Sequence, residues 1–356
     1  NFLLLLGFLS GCDYLDIVPD NLPTLEMAFN NKSSAERFLF TCYSFVPEHG
    51  KIGTDPGMDV GDEVWYYSDN SADYSNKTTF WIAKGMQNSN EPLVDYWNGT
   101  QWGKAMFVGI RDCNVFIENI EKVPDLSAYD KETWKAEAKV LKAFYHFWMM
   151  RMYGPIPIIK ENIPVSAGED EVRVVRDKID DIVTYIVSLI DESVEYLPLN
   201  IQNEAAEMGR ITRPAAKAIK AKILAFAASP FFNGNLDYAN FKNAEGEPFF
   251  NQVYDNEKWT KAADACLEAI QCAEEAGHGL YEFVNMSSTQ LSDETILSLS
   301  NRCKVTERWN KELVWGCGQS GIRDLQVLCQ PWLESNYSSD DRYHNARNGT
   351  FAPTLA

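Results

Sequence analysis

The sequence predicts an all-α protein built on tetratricopeptide-like helical hairpins. Two observations support this fold class. Several long stretches repeat apolar side chains three and four residues apart, which is typical of amphipathic helices. Most of these stretches end at proline or glycine, the residues that commonly terminate helices. The formal tetratricopeptide signature is absent, so the repeat assignment rests on the succession of paired helices alone.

The first predicted helix and the long loop after it occupy the N-terminal hundred residues. Ser33 and Glu36 have the spacing of a capping box, and the helical pattern covers residues 33–46 before Pro47. Residues 48–98 are polar, rich in aromatic side chains and without sustained periodicity. Long loops are usually functional or disordered, and the aromatic content argues against disorder. We therefore expect a functional loop region here.

The remaining helices are predicted further along the chain. The strongest pattern is that of residues 131–153, which stops at Gly154. Trp102 is expected to lie at the start of the helix predicted over residues 101–120 and to be packed against the rest of the protein. After Tyr281 the helical period fades, and residues 313–315 are expected to form a short strand. The other predicted helices cover residues 101–120, 173–197, 213–228 and 257–276.

The composition indicates a globular protein that does not bind nucleic acid. Among the 356 residues, 45% are hydrophobic and 23% are charged, which allows a substantial core. The net charge is -19, whereas binding to a phosphate backbone requires clustered Lys and Arg. This acidic balance is compatible with neutral ligands such as sugars.

The N-terminus has the pattern of a lipoprotein signal. Residues 2–9 form an apolar run that is too short to span a membrane, and Ser10, Gly11 and Cys12 follow it. Small residues before a cysteine suit a lipoprotein signal peptidase, so we expect Cys12 to carry the lipid anchor and residues 1–11 to be a signal-peptide remnant. The alternative is a buried strand with an incidental cysteine.

Neither a disulfide framework nor a metal site is expected. Seven cysteines remain after Cys12, and an odd number does not indicate a complete set of disulfides. No pair of cysteines has the CxxC spacing, and the four histidines are far apart, so zinc is not expected. We likewise expect no cofactor.

Four stretches of distinctive sequence carry a family resemblance. They are an acidic and aromatic segment behind Cys12, a helix end that runs into Gly and Pro, an Ala-rich helix with its flanks, and a short segment ending in Trp. In chain order they are residues 12–19, 137–157, 209–234 and 310–315. Together and in this order they resemble the SusD/RagB family of nutrient-uptake lipoproteins.

The resemblance implies a location and a partner. It implies an all-α SusD-like fold, with tetratricopeptide-like helical hairpins plus a loop-rich ligand-binding half. It also implies a position on the outer face of the outer membrane, next to a SusC-like TonB-dependent transporter. It also implies an N-terminal region at residues 12–230, with most of the helical scaffold, and the start of a C-terminal region at residues 231–356. The family usually continues well past this length, so we expect the second region to be incomplete here. Family members bind glycans, and some bind peptides.

The best candidate ligand site lies in the loop region. A sugar needs aromatic faces against its C–H groups and polar side chains for its hydroxyls. Family starch binders carry an acidic pair, two aromatic residues two apart, and Asn three residues on. Asp62, Trp65, Tyr67 and Asn70 match that pattern, and an extended segment would place the two rings on one side. The alternative is that both rings pack on the helices.

Other aromatic residues are weaker candidates. Trp81, Trp97 and Asn98, from the same region, are secondary ligand candidates. His146 is expected to be a satisfied core or interface histidine. The aromatic side chains expected to belong to the core or to a transporter contact are Trp134, Tyr145 and Trp148.

Four functions remain in competition. We expect a glycan-binding lipoprotein without enzymatic activity, and a peptide-binding lipoprotein is the first alternative. A glycoside hydrolase needs two carboxyl groups that flank one bond, but Asp62 and Glu63 are adjacent and would point in opposite directions along a strand. A purely structural or adhesive lipoprotein is the remaining alternative.

Overall fold

The computed structural model describes residues 25–48, 50, 55–61, 64–66, 78–286, 288–317 and 351–353. The predicted lipidation residue, Cys12, lies outside this part of the chain. Among the described helices, none is both long and apolar enough to cross a membrane.

The described chain is predominantly helical, which confirms the predicted all-α class. Short 3₁₀ turns at Ile120–Lys122 and Val194–Tyr196 extend two of the helices. The α-helices are α1 (Leu25–Ala28), α2 (Lys32–Tyr43), α3 (Pro56–Asp59), α4 (Thr78–Ala83), α5 (Met106–Asn119), α6 (Ala128–Tyr153), α7 (Glu169–Val172), α8 (Ile179–Asp191), α9 (Glu204–Glu207), α10 (Arg213–Ala228), α11 (Glu257–Glu275) and α12 (Asp293–Thr306).

One antiparallel strand pair joins distant parts of the sequence. Strand β1 (Val64–Tyr66) pairs with β2 (Phe351–Pro353), and Trp65 lies opposite Ala352. The pairing holds the backbone of residues 64–66, the described part of the predicted ligand segment, against residues 351–353.

Helix α6 is the centre of the core. It packs against α2, α5, α8 and α10, and its side chains are buried on nearly every side. A helix covered on all sides belongs to the interior of a helical assembly. Helices α10 and α11 form a close pair, because alanines such as Ala221, Ala265 and Ala269 lie between them. Trp134, Tyr145 and Trp148 of α6 are buried, as predicted for core aromatics.

A buried carboxylate ties three segments together. Glu137 of α6 accepts hydrogen bonds from Arg210 Nη2 at 2.7 Å and from the Tyr43 hydroxyl of α2 at 2.5 Å. The same hydroxyl accepts the backbone N–H of Ile211 at 2.8 Å. Burial lowers the pKa of Arg210, but the Glu137 carboxylate outweighs that effect and holds the pKa above its ordinary value. Trp134 also lies 5.2 Å beneath the guanidinium.

The start of α2 differs from the prediction. The helix begins at Lys32, and its N-cap is Asn31, whose side chain accepts the backbone N–H of Ser34 at 2.9 Å. The expected capping box at Ser33 and Glu36 is therefore wrong. Asn is among the best N-cap residues, so the cap moves two positions earlier.

The helix predicted over residues 173–197 is shorter in the structure, where α8 begins at Ile179 and ends at Asp191. Residues 173–178 lie between α7 and α8 without helical structure. Asp177 accounts for the break, because its N–H donates to the Ile156 carbonyl at 3.0 Å and its carboxylate accepts the N–H of Ile158 at 2.7 Å. These contacts hold the segment beside the chain that leaves α6.

Two predictions for the last hundred residues are also wrong. Helix α12 forms after Tyr281, where the sequence predicts no further helix, and the Ser292 hydroxyl caps it by accepting the N–H of Thr295 at 3.2 Å. Residues 313–315 form no strand, and a bend lies at residues 314 and 315. Trp315 anchors them, because its indole N–H donates to the Gly209 carbonyl at 3.0 Å and its ring meets Phe144 edge-on.

Candidate functional site

The structure describes four of the seven predicted ligand residues. Trp65, Trp81, Trp97 and Asn98 belong to the described chain. The other three lie outside the described residues, so the expected alignment of two rings on one side stays a prediction. They are Asp62, Tyr67 and Asn70.

Trp65 is partly accessible and supported from one side. It lies on β1 with 37% of its surface exposed. Its ring meets the buried ring of Phe80 edge-on, with centroids 5.4 Å apart. An aromatic ring held this way keeps a fixed orientation while part of it faces solvent. This geometry is compatible with the stacking role predicted for Trp65.

Trp81 lies on α4, next to Phe80, and is half-buried. The ammonium of Lys84 lies 5.7 Å from its ring centroid, within the range of a cation–π contact. One face of the ring is therefore occupied by a charged side chain of the same helix.

Trp97 is packed more tightly than a free platform would be. Its ring meets Phe107 edge-on at 4.8 Å and Tyr153 at 5.6 Å. The guanidinium of Arg176 lies 5.4 Å from the ring centroid. Three neighbours thus surround this half-buried indole, and its geometry suits a support for the loop better than a ligand surface.

Asn98 belongs to a loop that is organised around one buried carboxylate. We call residues 95–105 the Asp95 loop. Asp95 accepts the backbone N–H groups of Trp97 and Asn98 at 2.9 and 3.1 Å, the Asn98 amide at 3.1 Å and the Thr100 hydroxyl at 2.9 Å. Burial alone would raise the pKa of Asp95, but these hydrogen bonds outweigh it and lower the pKa. The carboxylate therefore stays ionised and holds the loop closed.

The Asp95 loop is also held in place at its C-terminal end. Lys104 donates to the carbonyls of Ser44 and Val46, both at 2.8 Å, just beyond the C-terminus of α2. A Cβ on Gly103 would lie 2.0 Å from the carbonyl oxygen of Asp95, so only glycine fits there. The loop is thus packed backbone against backbone and fixed at both ends.

Trp102 contradicts its sequence-based prediction. Instead of beginning a helix and packing, it is 60% exposed in the Asp95 loop, and α5 begins only at Met106. Its φ is 70°, and Gln101 before it has a φ of 50°. Two successive non-glycine residues in the left-handed region are uncommon and cost free energy unless their surroundings impose them. The sequence carries no signal for this conformation beyond the flanking glycines.

Within the part of the chain that the structure describes, no cluster of three or more His, Cys, Asp or Glu side chains is arranged to hold a metal ion. The carboxylates of the Asp95 loop and of the buried Glu137 are instead occupied by donors from the protein itself. The described candidate residues are Trp65, Trp81, Trp97 and Asn98, which offer aromatic and amide groups.

Comparison with known proteins gives a consistent result. A family model of SusD-like proteins, described as starch-binding and associating with the outer membrane, matches residues 13–224. A SusD-like protein of Bacteroides ovatus is 31% identical over 99 residues, which are 28% of this chain and 16% of that protein.

Solved structures share the fold. The structure of BT4246 matches with a TM-score of 0.67 and 30% sequence identity, covering 82% of this chain and 51% of that one. A laminarin-binding SusD-like protein matches with a TM-score of 0.51 and 17% identity, covering 80% of this chain and 50% of that one. The chain thus spans about half the length of these structures.

Proposed function

This chain belongs to the SusD-like family, and on that premise we propose that it captures oligosaccharides at the cell surface without transforming them. The family match over residues 13–224 is the observation that carries the proposal. It agrees with the resemblance predicted from four separate stretches of the sequence. The supported and partly exposed ring of Trp65 adds a physical means of holding a sugar.

We further propose where the protein acts and with what. A lipid on Cys12 would tether it to the outer leaflet of the outer membrane, since each buried CH₂ contributes about 0.8 kcal/mol and two or more chains anchor stably. The captured oligosaccharide would pass to a SusC-like TonB-dependent transporter. These two statements rest on the lipobox pattern and on the family resemblance.

The absence of catalysis is part of the proposal. Asp180 and Asp181 are adjacent carboxylates in the first turn of α8, and Asp180 is paired with Lys258. A hydrolase needs two carboxyl groups on opposite sides of one bond, about 5 to 9 Å apart. Release of reducing sugar by the purified chain would contradict the proposal.

Binding to a panel of neutral polysaccharides tests the function. Affinity electrophoresis in starch, laminarin, mannan and xylan, followed by calorimetry with the retained glycan, should give a dissociation constant for at least one. Trp65→Ala should weaken that binding about tenfold or more, which corresponds to the loss of about 1.4 kcal/mol.

A matched control distinguishes a ligand ring from any exposed ring. Trp259 of α11 is 43% exposed, close to the value for Trp65, and α11 packs against α10. Trp259→Ala should therefore leave glycan binding unchanged. Retention of none of the four polysaccharides, together with binding to a peptide mixture, would favour the peptide-binding alternative.

A further inference from the structure

We propose that Trp102 is a second saccharide-stacking platform, presented by the Asp95 loop. This inference rests on the proposed function and adds to it a contact residue on a different structural element from Trp65. It is supported by the exposure of the ring, the rigidity of its support and the exposed amide groups on the same loop.

Exposure is the first observation. Trp102 is 60% exposed, compared with 37% for Trp65 and 43% for Trp259. Trp is highly buried on average, so an indole this open has to be explained by something other than core packing. A pyranose ring offers a flat C–H face that matches an open indole in size and polarity.

Rigidity is the second observation. The left-handed backbone at Gln101 and Trp102 is imposed by the hydrogen bonds to Asp95, by Gly103 against the Asp95 carbonyl, and by Lys104 on the end of α2. A ring that is already fixed loses little freedom when a ligand binds, so less of the contact energy is spent on ordering it. An exposed Trp on a mobile loop would lack this advantage.

Amide groups are the third observation. Gln101 and Asn98 are exposed on the same loop. Within the described residues the Gln101 side chain makes no hydrogen bond, and Asn98 uses only its N–H group, towards Asp95, which leaves its carbonyl as an acceptor. Amides donate and accept at once, which suits sugar hydroxyls. A membrane contact would instead favour further apolar side chains around the ring.

The test uses the polysaccharide that the unaltered chain retains, chosen from starch, laminarin, mannan and xylan. Trp102→Ala should raise the dissociation constant about tenfold, and Trp102→Phe should recover part of the loss because a smaller ring still stacks. Trp259→Ala is the control for an exposed ring on another element, and thermal unfolding of each variant shows whether the fold is kept.

A second variant tests the role of rigidity without removing the ring. Gly103→Ala should displace the loop and weaken binding while Trp102 remains. If the unaltered chain retains none of the four polysaccharides, the proposed function fails and this inference with it. If the unaltered chain binds and Trp102→Ala binds equally well, the inference alone is refuted.

Discussion

His146 makes the stability of this protein depend on pH in a way that can be calculated. The imidazole is fully buried in α6, where Nδ1 lies 2.8 Å from the Lys142 carbonyl and Nε2 accepts the backbone N–H of Ile159 at 3.2 Å. These partners require a neutral ring with its proton on Nδ1, because a proton on Nε2 would face the N–H of Ile159. Burial therefore lowers the pKa of His146 to about 4 from 6.5.

The magnitude follows from this shift. Between pH 6.5 and 4 the unfolded chain binds a proton at His146 that the folded chain does not, so stability is lost as the pH falls. The loss reaches about 1.4 kcal/mol at pH 5.5 and about 3 kcal/mol below pH 4, taking the two pKa values for the folded and unfolded states.

Urea unfolding at pH 7.5 and pH 5.5 measures the effect. The lower of these two pH values is still above the pI of about 4.7. His146→Gln keeps an acceptor for Ile159 and cannot be protonated. Its stability should fall between these two pH values by about 1.4 kcal/mol less than that of the unaltered chain. Equal falls in the two proteins would refute the buried, neutral imidazole.

Other predictions follow from buried and exposed groups. Glu137→Ala should cost about 3 kcal/mol of unfolding free energy, the lower end of the range for breaking a buried ion pair, because Arg210 loses its buried partner and keeps only the more exposed Glu207 at 3.0 Å; a loss under 1 kcal/mol in urea unfolding would contradict this. Gly103→Ala should lower stability by about 1 to 3 kcal/mol through overpacking, and an unchanged melting temperature would argue against the close backbone approach. Cys266 is exposed and should react quickly with a thiol reagent. Burial raises the pKa of the Cys113 thiol and should protect it from the reagent until the protein unfolds, and peptide mapping by mass spectrometry measures both rates.

Sequence patterns were sufficient where a helix carries its own boundary signals. Helix α10 has the predicted limits because Thr212 caps it and Ser229 and Pro230 end it. Helix α6 ends as predicted at Gly154, whose φ of 70° suits glycine best. Both signals are local, so they can be recognised without knowledge of the rest of the fold.

Boundaries that depend on distant contacts could not be predicted in this way. The break before α8 exists because Asp177 bonds to the chain near Ile156, and no local pattern encodes that partner. Helix α12 has only one buried residue, Ser300, so it lacks the apolar face that periodicity detects.

The candidate ligand residues show the same difference between what local sequence predicts and what the folded structure determines. Trp65 was selected by spacing and is partly exposed, as a stacking ring requires. Trp97 was selected for its residue type, yet Phe107 and Arg176 cover much of it. Trp102 was assigned to packing because it precedes a helix, and its exposure arises from the contacts of Asp95 within the folded loop. Residue type therefore predicts the kind of ligand, while the fold determines which of these rings face solvent.

The carboxylate of Glu137 also sets an order for folding during synthesis. Its partner Tyr43 bonds to Ile211, which is 168 positions later in the chain. The first helices therefore cannot reach their final packing until the segment that carries Arg210 has left the ribosome. A polypeptide halted before that point would hold a carboxylate in a forming interior without the guanidinium that neutralises it. We expect such truncated chains to stay loosely packed and to be degraded. The segments that carry Tyr43, Glu137 and Arg210 should therefore reach their final packing together.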